Sequence, residues 1–353
     1  MGIYQGVYAR VFKAIKIIAL FIIKWLGGFW LFRLLNQGKT CVLCYHGFAY
    51  KDEYLFRPKL FMRPETFAKR LDWLARSPYN IVSLSEALSH PNKSTQVVLT
   101  MDDGWASTQE LVGDYLTKHK FPLTLYVTSY YVEKQGAVIN VALAYVLWQS
   151  DGQTLIVDET SLLDTKTYVI NKKNRKYIVD ELCQQIDKLA SFTDRQQELF
   201  NIAEQLGIDL YSQGKLMFRA LTLIEATALQ ENNINIQLHT HRHCSPQNED
   251  AFKLEIRENI SYLQQAKLLN SLVHFCYPSG EYYSKQLPWL TDSGVMSATT
   301  VFSGMLEAHT DPLQIPRILD GEDVHQLEFE AELCGLTSFL RKLCYQKRKN
   351  YLR

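Results

Sequence analysis

Apolar positions along the chain fall into three regimes. Residues 11 to 35 are nearly continuous, with Ile17 to Ile23 unbroken, Lys24, and then Trp25 to Phe32 interrupted only by Gly27 and Gly28. From residue 41, short β-branched or aromatic runs alternate with helical spacings, which predicts a parallel sheet with crossover helices. The runs predict strands over 40–45, 80–84, 96–101, 123–128, 234–239 and 272–277, with weaker ones over 297–301 and 314–318. Between them, 64–75, 85–89 and 107–118 have helix spacing. The third regime, about 135–230, is long, polar and mostly helical, with Leu182, Ile186, Leu189, Leu199, Ile202 and Leu206 at helical intervals; it reads as an inserted helical lobe.

Charge sharpens this division. The whole chain is close to neutral, with 38 basic and 37 acidic residues and a net charge of +1. Residues 1 to 40 nevertheless hold six Lys/Arg and no acid, and 341 to 353 hold six more, leaving 26 basic against 37 acidic residues in the body. An acidic body does not suit a nucleic-acid groove, so no nucleic-acid partner is expected. Seven cysteines are too sparse for a disulfide scaffold. Cys41 and Cys44 form a C-x-x-C pair inside a strand, where they point apart and no second pair follows, which argues against a zinc ribbon or redox motif.

Three divisions follow. Residues 1–39 form a hydrophobic and basic helix, 40–330 the main domain with its insertion, and 331–353 a basic tail. The apolar stretch is borderline for a span of about 20 residues. Arg10, Lys13, Lys16 and Lys24 fall within about 120° on a helical wheel, with Ile17 and Leu20 intruding on that face. The expectation is an imperfect amphipathic helix in the bilayer interface, or a single anchor, with Trp25, Trp30 and the basic residues near headgroups. Arg341, Lys342, Lys347, Arg348, Lys349 and Arg353 suit the same surface, which predicts membrane association at a cytoplasmic leaflet. The alternative is a hydrophobic helix packed on the domain itself.

Two strand ends gather chemistry. Thr100-Met101-Asp102-Asp103-Gly104 places adjacent carboxylates after an apolar run, an arrangement that a cation would relieve and that is otherwise a common turn. His239-Thr240-His241-Arg242-His243 places three imidazoles in five residues, the commonest ligand type for a borderline metal such as Zn²⁺. His239 and His243 converge if the chain turns helical; His239 and His241 share a face if it stays extended.

These two motifs resemble the T-F-D-D-G and H-[ST]-x-x-H motifs of the polysaccharide deacetylases with a NodB homology domain. Tyr45-His46, Phe275-Cys276-Tyr277-Pro278-Ser279-Gly280 and Pro316-Arg317-Ile318 match weaker family motifs in the same order, and the resemblance covers about residues 40 to 330. It implies a distorted (β/α) barrel, usually of seven strands, and metal-dependent removal of acetyl groups from sugars. It further implies Asp103, His239 and His243 as ligands of a divalent metal, most often Zn²⁺, with Asp102 as general base. The loop Tyr277, Pro278, Ser279 and Gly280 would bind substrate and, through the Ser279 amide, the oxyanion. Two departures stand out. Cys276 occupies the position of a family arginine that orients the base, for which Arg317 is the candidate replacement. The family's Leu-x-His acid has only the poor match Val324-His325, so His46 is the candidate acid. The expected substrate is an acetylated amino-sugar glycan of a bacterial surface, or its lipid-linked precursor. A turnover-impaired glycan-binding module and an amidohydrolase or deformylase on a lipid-linked sugar are the alternatives.

Overall fold

The structure, a computed structural model, describes residues 2–89 and 94–351. Eight strands form the main sheet: β1 (Thr40–Tyr45), β2 (Asn80–Ile81), β3 (Gln96–Met101), β4 (Leu123–Val127), β5 (Ile234–Leu238), β6 (His274–Cys276), β7 (Ser297–Thr299) and β8 (Ile318–Leu319). Their order is β7-β6-β5-β4-β3-β1-β8, all parallel, with the short β2 beside the first residues of β3 on the edge that β4 takes further along. A parallel bridge between Thr299 and Ile315, with Ile315 donating to the Ala298 carbonyl and Thr300 to Ile315 (both 2.9 Å), joins the two ends of this order. The result is a distorted seven-stranded (β/α) barrel. Because the strands run parallel, their C-terminal ends open on one rim.

Period-two alternation sorts each strand into an outward and an inward row. Cys41, Leu43 and Tyr45, Val97, Leu99 and Met101, and Ile234, Ile236 and Leu238 face the surrounding helices in one large core cluster. Val42, Val98, Tyr126 and Cys276 belong to a separate cluster inside the barrel. The inward rows run on into Cys44, Thr100 and Asp102, and into Gln237 and His239, all buried. Cys41 and Cys44 thus lie on opposite faces.

The strands over 40–45 and 96–101 have the expected bounds, the others are shorter than their apolar runs suggested, and the expected strand over 314–318 is broken. Pro312–Gln314 is a 3₁₀ turn, Ile315 makes only the closing bridge, and pairing resumes at β8. Pro312 and Pro316 lack the N–H a continuous ladder needs.

The inserted segment holds helices Ile139–Gln149, Arg175–Ile186 and Phe192–Gln205 around a hydrophobic cluster of its own, including Leu143, Leu147, Leu182 and Leu199. It also contains two antiparallel hairpins that helical spacing did not signal, Thr154–Val157 with Lys166–Val169 and Tyr211–Ser212 with Lys215–Leu216. The helix Leu223–Gln230 packs Ala226 and Leu229 into the barrel cluster instead.

At the N-terminus, helix Gly2–Trp25 is followed by Gly28–Leu35, and the two are bent by 77°. Gly27 adopts φ +81° at the break, a conformation few other residues accept. Among the described residues no single helix is long and apolar enough to cross a membrane, although the bent pair meets that measure by length and composition. Lys16 pairs with Glu328 (2.7 Å) and Lys24 with Glu330, so these cations face the protein body rather than the headgroups expected of them. The chain ends in helices Gln326–Leu333 and Leu336–Tyr351. Arg353 lies outside the described residues, as do the side chains of Lys347, Arg348 and Lys349.

Candidate active site

The rim at the strand C-termini opens into a cavity of about 910 Å³, walled on one side by His46, Asp102, Asp103, His239, His243 and the Tyr277–Gly280 loop. The inserted segment supplies another wall, including Ile139, Phe192 and Arg195.

Asp102 continues the inward row of β3 and is 3% exposed. Arg317, inward-facing just before β8, meets it in a fork: Nη1 donates to Oδ1 and Nη2 to Oδ2, each at 2.7 Å. The remaining guanidinium donors reach the Thr300 carbonyl (2.9 Å), Thr100 Oγ1 (3.2 Å) and Cys276 Sγ (3.2 Å), so the buried cation is fully satisfied. Burial would raise the Asp102 carboxyl, but the Arg317 charge and hydrogen bonds outweigh it and hold the group well below the usual carboxylate range. Cys276 is small enough to leave room beside Asp102 Oδ2, with its sulfur at 3.4 Å. The arginine that meets Asp102 thus comes from the segment just before β8, beside the small Cys276 of the loop after β6.

Asp103 turns the other way because its backbone leaves the strand with φ +73°, a strained conformation for a residue bearing a Cβ. Trp105 Nε1 donates to Oδ2 (2.8 Å), leaving Oδ1 toward His239 Nε2 at 3.2 Å and His243 Nε2 at 3.3 Å. His239 Nδ1 lies 2.8 Å from the Cys276 carbonyl, which accepts its proton and leaves Nε2 with a lone pair. Two ring nitrogens thus converge on one carboxylate oxygen, an arrangement that a shared cation, or a proton on either ring, satisfies. Their donor atoms all lie within 4.8 Å of one another. Two imidazoles and one carboxylate, with the cavity side open, are the donor set of a catalytic divalent site, so these residues fit a metal. Two other groupings, Cys44 with His46 and Asp102, and Asp102 with His239 and Cys276, also come within this reach. Both oxygens of Asp102 are already bound by Arg317, whose positive charge disfavours a cation there.

The convergence of His239 and His243 is not helical. Thr240 (φ +62°) and His243 (φ +55°) are both left-handed, and the loop folds back in irregular turns. Arg242 pins it through Glu255 (2.7 Å) and Glu258. His241 leaves the site and hydrogen-bonds Ser129 Oγ at 2.9 Å under the ring of Tyr130.

His46 sits one residue past β1, with Nε2 3.7 Å from Asp102 Oδ2. Burial lowers its pKa against the opposing pull of Asp102 and Asp103. Its Nδ1 is buried and has no hydrogen-bond partner among the described residues. His325 is elsewhere: it caps helix Gln326–Leu333, its Nδ1 accepting from the Leu327 amide (3.2 Å). In the loop after β6, Gly280 donates to the Tyr277 carbonyl (2.9 Å), placing Ser279 at the apex with φ +55°. Tyr277 packs away from the barrel interior and donates through its hydroxyl to the Leu313 carbonyl (3.0 Å).

Sequence reading missed Trp105, although its position directly after Asp-Asp-Gly was a usable signal. It also missed Phe192 and Arg195, whose place in the cavity wall depends on how the insertion folds back.

Comparison of the sequence with protein-family models gives no match. Comparison with curated proteins gives none either. Solved structures do match in fold. The Streptococcus pyogenes deacetylase PplD, solved with acetate, superposes with a TM-score of 0.55 at 16% identity, over 84% of this chain and 99% of that one. BC0361, a polysaccharide deacetylase from Bacillus cereus, gives 0.51 at 15% identity, over 84% and 69%. IcaB from Ammonifex degensii gives 0.51 at 16%, over 84% and 97%. The chain has the fold of the polysaccharide deacetylases.

Proposed function

We propose that this chain is a metal-dependent hydrolase that removes N-acetyl groups from amino sugars of a bacterial surface polysaccharide or its lipid-linked precursor. The observation that carries this reading is the meeting of Asp103, His239 and His243 on the open side of a cavity, with an ionised, arginine-held Asp102 beside them. A divalent cation, Zn²⁺ by donor type, would lower the pKa of a water and polarise the amide carbonyl. Asp102 is the carboxylate placed to accept a proton from the attacking water, and Arg317 fixes the carboxylate plane and keeps it charged. The Ser279 amide, at the apex of its turn, donates to the oxyanion. His46, with Nε2 3.7 Å from Asp102 Oδ2 and Nδ1 without a partner among the described residues, is the group we assign to take up the proton that Asp102 gains from the water and, as the imidazolium, to pass it to the departing amine. We place the reaction at the cytoplasmic face of a membrane, on the strength of the two acid-free basic ends.

The test is acetate release from N-acetylglucosamine oligomers together with metal content. The wild type should hold about one metal ion per chain and release acetate. Asp102→Asn should keep the metal and lose turnover, whereas His239→Ala should lose both. Equal metal loss in the two variants would sink this division of labour. Binding of oligomers without acetate would favour a glycan-binding module, and release of formate a deformylase.

A further inference from the structure

Among the described residues, an apolar surface lies uncovered along the N-terminal helices. Val11, Phe12, Ile15, Ile18, Ile22 and Trp25 fall on one arc of the first helix, and each is 49–79% exposed. The opposite arc carries Lys13, Lys16 and Lys24, and the body takes that side. Lys16 pairs with Glu328, Lys24 with Glu330, and Lys13 donates to the Asp323 carbonyl. Leu20, whose place among the lysines spoils a simple amphipathic pattern, is buried with Phe29 against Ala331, Cys334 and Leu336. A helix on a water-facing surface turns its charges away from the body; this one bends three of its lysines, each still partly exposed, to partners on the body.

The surface continues past the 77° bend. Trp30 and Leu31 are 58% and 48% exposed, and Phe32 meets Phe339 of the last helix with ring centroids 5.3 Å apart. Leu340 and Leu343 extend the patch there. No Asp or Glu occurs in residues 1–40 or after Glu332, so the patch is apolar with a basic margin.

We propose that this face docks on a lipid bilayer containing anionic headgroups, with the bent helix pair lying in the interface plane and its apolar arc in the acyl boundary. Charge decides against a second copy as occupant, because residues 1–40 and 341–353 carry twelve cations against the four carboxylates Glu307, Glu328, Glu330 and Glu332 that pair with some of them, so two such faces would repel. An anionic bilayer complements both the centre and the margin. Packing decides against crossing, since a spanning pair would leave Glu328 and Glu330 unpaired and strip the cover from Leu20 and Phe29. This inference rests on and deepens the membrane placement proposed above, and the acetate-release test of the reaction can fail or succeed separately from it.

The test is flotation of the full chain with phosphatidylcholine vesicles, with and without phosphatidylglycerol. The wild type should float better with the mixed vesicles than with phosphatidylcholine alone, and high salt should remove that difference while leaving the binding of the apolar arc. Ile15→Glu/Ile18→Glu should weaken vesicle affinity more than about tenfold, with thermal unfolding unchanged because both side chains are exposed. Unchanged flotation of that variant overturns the proposal. So does a wild type that ignores vesicles and forms a dimer which the variant dissociates. Protection of an N-terminal tag from protease added outside the vesicles would show a crossing helix and overturn the in-plane arrangement.

Discussion

Asp102 and Asp103 are neighbours in sequence with different environments, and the difference arises from one backbone dihedral. Asp102 keeps the strand alternation and enters the barrel, where Arg317 waits; Asp103, at φ +73°, swings to the rim and the histidines. The Asp102 carboxyl is depressed in the folded protein, burial raising it but Arg317 more than compensating. Such a group contributes stability that is complete above its unfolded pKa, about 4, and is lost as pH falls through the folded value. Arg317→Met should therefore leave an unpaired buried carboxylate and cost about 3–5 kcal/mol in denaturant unfolding at neutral pH. That cost should shrink as the pH is lowered toward about 4, where the orphaned carboxyl protonates. A cost independent of pH would mean the pair is not what Arg317 contributes.

At the scale of elements, the loop after β6 is set by glycine. A Cβ on Gly280 would lie 2.2 Å from Val301 Cγ2, and its φ is +69°. Gly280→Ala should displace the Ser279 amide and lower acetate release, with metal content unchanged because all three candidate ligands lie on other segments. Metal analysis beside initial rates separates the two effects. The strands were legible in sequence because runs such as Val97–Met101 are apolar on both faces, as parallel barrel strands require. The hairpins of the insertion were not, because Thr154–Val157 is four residues whose alternate side chains are exposed, too short to stand out from its helical surroundings.

Across the whole molecule, Trp105 ties the insertion to the site. Its indole N–H holds Asp103, while its ring packs on Phe61 (centroids 5.3 Å apart) in the insertion's own hydrophobic cluster. Trp105→Phe keeps most of the packing and removes the hydrogen bond, so metal affinity should fall about 10–100-fold. A competition titration with a chromophoric chelator measures this, and thermal unfolding of the metal-free protein should move little.

The two motifs, their place at strand ends, and the apolar and basic N-terminus follow from the sequence alone, because alternation and helical spacing are local properties of the chain. Spacing left open whether His241 or His243 joins His239, and the resemblance implied His243; the tertiary structure brings His243 there through two left-handed residues rather than a helical turn. Closure of the barrel likewise brought Arg317 to Asp102, 215 residues away. It also set the lysine arc against Glu328 and Glu330, turning the apolar arc outward. Contacts of that separation depend on strand register and on which surfaces bury each other, and no local pattern encodes either.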